Sequence, residues 1–142
     1  WAEGDECDQA YLLGVLSSIP LDWYARRYVE THVNFHVLYP FPIPNPSKDA
    51  PLRRRVEEIS GRLAAVDDRY ADWAVAVGVP VGGVAGDEKD DLVAELDAAV
   101  VLLYGLEEPD VRIIFETFHV GWDHAPRLEA VLRHYHRLRS LA

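Results

Sequence analysis

The residues best suited to chemistry are scattered, and most have a simpler reading. Four histidines fall late in the chain, at His119, His124, His134 and His136. A zinc site needs three or four ligands converging at short spacing, and no HExxH or Cys-His pattern is present. His134 and His136 are two residues apart, so on a helix they point in different directions. Gly82-Gly83-Val84-Ala85-Gly86 has neither the spacing nor the Lys-Ser/Thr ending of a phosphate-binding loop, and it reads as a connection between helices. Ser17 and Ser18 sit in no nucleophile elbow. The acids between Asp87 and Asp91 suit the positive end of a helix. These readings give no catalytic residue and no metal site.

The basic residues point elsewhere. Trp23-Tyr24-Ala25-Arg26-Arg27-Tyr28 combines arginines with aromatic rings, a pairing suited to phosphate contact and base stacking. Arg53-Arg54-Arg55 stands at a helix start, where acids are usual, so the triplet calls for an anion: a phosphate, or an acidic segment of this same chain.

Charge limits where a nucleic acid could sit. The formal net charge is −10, against free-standing binding to a polyanion. The excess is uneven: residues 65–126 carry three bases and fourteen acids, whereas residues 20–64 carry seven bases and five acids, and residues 127–142 four bases and one acid. A DNA face therefore belongs in the first half or on the last helix. The single cysteine, Cys7, leaves no internal disulfide and fits a reducing, cytoplasmic setting. The apolar run over residues 98–103 is far below the roughly 20 residues a membrane span needs, so no membrane partner is expected. With Trp1 first and no Met anywhere, the chain reads as a piece of something longer.

The elements that would position these residues are mainly helical. Tyr11, Leu12, Val15, Leu16 and Ile19 stripe a helix over about 8–18, and Pro20 opens a second that runs to about Glu30. Residues 33–38 alternate and suit a short strand. Prolines at 40, 42, 44 and 46 then force an extended connector. Leu52, Val56, Ile59, Leu63, Val66, Tyr70, Trp73 and Val77 keep a heptad spacing, which predicts one long helix ending at Gly78. Helices are also expected over 87–104, 109–118 and 126–138, the first of them folding back on the heptad helix as an antiparallel hairpin. The expected fold is mainly α, with at most a short strand near 33–38. Two parts are expected: 1–46 ending at the proline-rich exit, and 47–142 as a helical bundle.

Several of these stretches together resemble a known family. Tyr11-Leu12-Leu13-Gly14-Val15-Leu16-Ser17-Ser18, then Leu21-Asp22-Trp23-Tyr24-Ala25-Arg26-Arg27, Val33-Asn34-Phe35 and Pro42-Ile43-Pro44 resemble the end of the target-recognition domain in type II restriction–modification adenine-N6 DNA methyltransferases of the Eco57I-like and TaqI-like kind. Residues 95–106, with Asp97-Ala98-Ala99 and Tyr104-Gly105-Leu106, resemble that family's C-terminal segment, and residues 115–123 its continuation. The resemblance implies a C-terminal fragment that finishes target recognition and braces it. Its partners would be double-stranded DNA, through the parent protein, and an upstream methyltransferase domain. That domain would carry S-adenosylmethionine and the Asn-Pro-Pro-aromatic motif, which Asn45-Pro46-Ser47-Lys48 does not reproduce. No cofactor is expected in this fragment. Candidate DNA contacts are Arg26, Arg27, Asn34, His36, Arg53, Arg54 and Arg55. The alternative is a helical interaction or oligomerisation module that uses the heptad seam and touches no DNA.

Overall fold

The computed structural model describes residues 4–29 and 32–142. They form a mainly α fold with no strand among the described residues. Eight helices follow in order: α1 (Glu6–Leu16), α2 (Ile19–Ala25), α3 (Phe35–Leu38), α4 (Pro51–Ala64), α5 (Ala71–Val77), α6 (Gly86–Leu103), α7 (Glu108–Phe118) and α8 (Ala125–Leu138).

Helix α6 is central. It packs most extensively on α8 and also on α4, which in turn packs on α1. Asp97 meets Arg127 and Asp91 meets His134, so α6 and α8 run antiparallel. One apolar core draws on both sides of residue 46: Tyr11, Val15, Ile19 and Leu21 are buried together with Val56, Ile59, Val100, Phe115 and Val131. No described helix is long and apolar enough to cross a membrane.

Three expectations about elements are corrected. The strand expected near 33–38 is instead the one-turn helix α3, because the Asn34 side chain accepts from Val37 N at 3.1 Å and closes a helical turn. The second helix ends at Ala25, well short of the expected end at Glu30, a residue outside those described. The single long helix is two. α4 stops at Ala64 and Ala65 leaves helical backbone angles at ψ 62°. The Asp67 carboxylate then accepts from the Arg69 amide at 3.0 Å and starts a tight turn that leads into α5. A short polar side chain that bonds nearby backbone competes with helix continuation, and here it prevails over a heptad pattern that Val66 and Tyr70 carry without being buried. α5 folds back on α1 and α4 around a small second core of Ala65, Ala74 and Val79.

The packing of α1 on α4 requires glycine at position 14. A Cβ on Gly14 would lie 2.1 Å from Ser60 Oγ and 2.7 Å from Val56 Cγ1. Ser60 Oγ is held on Val56 O at 2.6 Å, so yielding breaks that bond. Gly14→Ala is expected to destabilise by about 1–2 kcal/mol, since overpacking outweighs the roughly 1 kcal/mol gained in helix propensity. Adding Ser60→Ala should recover part of that loss in urea unfolding; strict additivity would show that the two groups do not collide.

Candidate nucleic-acid interface

The candidate contact residues divide into two groups. Arg53, Arg54 and Arg55 lie on α4, and their own chain supplies the anions. Arg53 is only 3% exposed. It donates to Glu57 at 2.8 Å, to the carbonyl of Pro46 at 3.3 Å and to Asp8, and its guanidinium lies 4.7 Å from the Tyr11 ring centre. Arg55 grips Glu95 of α6 with two bonds, of 2.7 and 2.8 Å, and Glu58 at 2.6 Å. Arg54 is exposed and pairs with Asp49. The triplet thus joins α4 to α1 and α6.

Arg26, Arg27, Asn34 and His36 face outward on the other group. At the C-terminal end of α2, the Arg27 guanidinium lies over the Trp23 ring at 4.4 Å and that of Arg26 over Phe118 at 4.3 Å. Such stacking holds a guanidinium in place while leaving its edge open to an acceptor. Arg26 is also bonded twice to Asp22, each at 3.1 Å. Trp23 Nε1 donates to Thr117 Oγ1 at 2.9 Å, which fixes the platform under Arg27 to the end of α7. Asn34 caps α3, and His36 is exposed on that turn.

Sequence reasoning singled out Tyr24 and Tyr28 beside the arginines, but not Phe41, Phe35 or Tyr39. Tyr28, Tyr24 and Phe41 form a chain with centroid spacings of 4.9 and 5.6 Å. Phe35 and Tyr39 stack on each other at 5.6 Å, with 26° between their planes. These two are 68% and 77% exposed. The signal available was their i, i+4 spacing, which only a helical turn converts into a stacked pair. An open groove of about 970 Å³ runs between α1 and the proline connector, with Leu12, Leu16, Leu38, Tyr39, Phe41 and Ile43 along it and Asp8, Lys48 and Arg53 at its polar end.

Beneath this surface lies a buried acid. Asp97 is 1% exposed; it accepts from the Ile19 amide at 2.9 Å and from Arg127 at 2.7 Å. Burial pushes its carboxyl up, opposed by Arg127 and the Ile19 N–H. The N-terminus of α2, where Ser18 makes no side-chain cap, is therefore capped from α6. Burial also works against the charge of Glu95, but Arg55 and Arg137 prevail and hold its carboxyl below the usual range.

The histidines stay apart. His134 is buried between Asp91, 2.8 Å from Nε2, and Arg137, 2.8 Å from Nδ1. A guanidinium can only donate, so Nδ1 accepts and the ring proton sits on Nε2, toward Asp91. His136 lies beside Glu108 at 3.2 Å. Among the described residues no three His, Cys, Asp or Glu side chains are placed to hold a metal ion. Burial raises the Tyr104 hydroxyl to about 12, and it has no hydrogen-bond partner among the described residues. Compared with known proteins, the chain matches no family model, no curated protein and no solved structure.

Proposed function

We propose that this chain is the C-terminal part of a bacterial adenine-N6 DNA methyltransferase of the restriction–modification type, serving to hold and complete DNA target recognition. In this reading S-adenosylmethionine and methyl transfer belong to another domain of the parent protein. In support of that division, Asn45-Pro46-Ser47-Lys48 lacks the second proline and the aromatic of the family's Asn-Pro-Pro-aromatic motif.

One observation carries the reading. Three stretches of resemblance, far apart in sequence, meet around α2. The Ile19 amide at its start is bound by Asp97 of the second stretch, and Trp23 is bound by Thr117 of the third. A recognition helix braced from behind, with two arginines stacked on aromatics at its outer end, suits positioning on a phosphate backbone. The first part of the heptad face is spent inside the chain, with Leu52, Val56 and Ile59 all buried, whereas Val66 and Tyr70 farther along it stay exposed.

The test is fluorescence anisotropy with duplex DNA. Weak binding is expected at about 50 mM salt, falling steeply toward about 200 mM. Arg27→Ala should weaken binding across sequences and lower the salt slope by about 1. Absence of binding at low salt would overturn direct DNA contact by this chain.

A further inference from the structure

We propose that the cavity between α2, the proline connector and the first turns of α7 is a binding site for a small amphipathic amine, with its apolar body inside and its ammonium group on Asp110. The proposal is independent of DNA contact.

The cavity measures about 260 Å³ and is bordered by Leu21 and Trp23 of α2, by Pro42, and by Asp110, Ile113 and Ile114 of α7. An apolar cavity of about 150 Å³ holds a benzene ring, so this one has room for a ring and a short chain. Its walls are formed before any ligand arrives. Leu21 and Ile114 are 3% and 5% exposed and belong to the main core. Trp23 is tied to Thr117 through its indole N–H, and the ring of Pro42 fixes its own backbone. A pocket that needs no ordering spends little of the binding energy on itself.

Charge selects the ligand. Asp110 is the one charged residue on the border, which includes no Lys, Arg or His. Its spacing from Ile113 and Ile114 puts the acid on the same face of α7 as the two isoleucines. Oδ2 of Asp110 accepts from the Glu107 amide at 2.9 Å, and no cation pairs with this carboxylate among the described residues. Arg112, the nearest base in the sequence, is bonded to Glu108 instead. An anionic ligand would meet this acid in a chain of net charge −10, and a neutral one would leave the acid unused. An amphipathic amine gains both the burial of its apolar body and a charge-assisted bond.

The experiment is an NMR titration of the whole chain, following the Trp23 indole N–H and the Ile113 and Ile114 methyl groups. Three probes share one ring and differ in charge: phenethylamine, phenethyl alcohol and phenylacetate. Phenethylamine is expected to bind with a Kd of about 1 mM. The alcohol should bind about threefold more weakly, and phenylacetate more weakly still. Asp110→Asn keeps an oxygen for the Glu107 amide and should bring the amine down to the alcohol's affinity. Ile113 is 52% exposed, so Ile113→Trp adds bulk where it is tolerated; it should fill the cavity and abolish the shifts, with folding checked by circular dichroism. Equal affinity of the wild type for amine and alcohol would overturn the ammonium assignment. Absence of shifts with all three probes would overturn the site itself. Shifts that persist in a folded Ile113→Trp would place binding elsewhere, and the proposal would fall.

Discussion

Asp97→Ala should lower the free energy of unfolding by about 3 kcal/mol, a large fraction of the roughly 5–15 kcal/mol that holds a domain folded. Two losses combine. The Ile19 amide loses its acceptor at a buried helix start, and two charge-assisted bonds to Arg127 disappear. Arg127 is one-third exposed and can turn to water, which keeps the cost below that of stranding a fully buried cation. Asp97→Asn keeps an acceptor for Ile19 and should cost about half as much. Arg127→Ala should cost at least as much as Asp97→Ala, because it leaves the carboxylate buried without its cation. Urea unfolding followed by tryptophan fluorescence reads all three. A shift under about 0.5 kcal/mol for Asp97→Ala would mean that α2 does not depend on α6 for its cap. If it does depend on it, the proposed DNA contact through α2 should weaken in this variant even where the chain stays folded.

Arg53→Met is expected to be still more damaging, by about 3–5 kcal/mol, although the replacement keeps an apolar stem over Tyr11. It strands Glu57, removes one of the cations on Asp8, and frees the carbonyl of Pro46. Asp8 retains Lys48 at 2.9 Å, so Glu57 bears most of the uncompensated charge. Arg54→Ala, one residue on, removes only an exposed pair and should stay within about 0.5 kcal/mol. The contrast within one triplet separates a buried arginine that holds helices together from an exposed one that does not. Should Arg53→Met melt like the wild type yet lose DNA binding, the arginine would face DNA after all.

Those neighbours show what could be seen in the sequence. The apolar stripes were legible: Leu52, Val56 and Ile59 are buried as their spacing requires, and so are Leu128, Val131, Leu132, Tyr135 and Leu138 of α8. Periodicity records which face is apolar. It does not record that Asp67 closes a local turn and ends α4's line three residues earlier. The same limit applies to charge. The triplet's need for an anion could be read, but its source could not, because Asp8 and Glu95 lie 45 and 40 residues away in the chain. The pair Phe35–Tyr39 was hidden by a different ambiguity. Val33 to Leu38 satisfies a strand pattern, in which those rings would not stack on each other; one hydrogen bond from Val37 to Asn34 selects the helical turn.

The proline connector has a consequence for the groove beside it. Tyr11 donates its hydroxyl to the carbonyl of Pro44 at 2.7 Å, which pins the connector to α1. Its backbone lacks an amide hydrogen at positions 40, 42, 44 and 46. In an extended chain alternate residues point their amides to the same side, so all four missing donors fall on one edge, and that edge has none to offer an added strand. A partner laid along that edge would be recognised by side chains and shape, not by main-chain pairing.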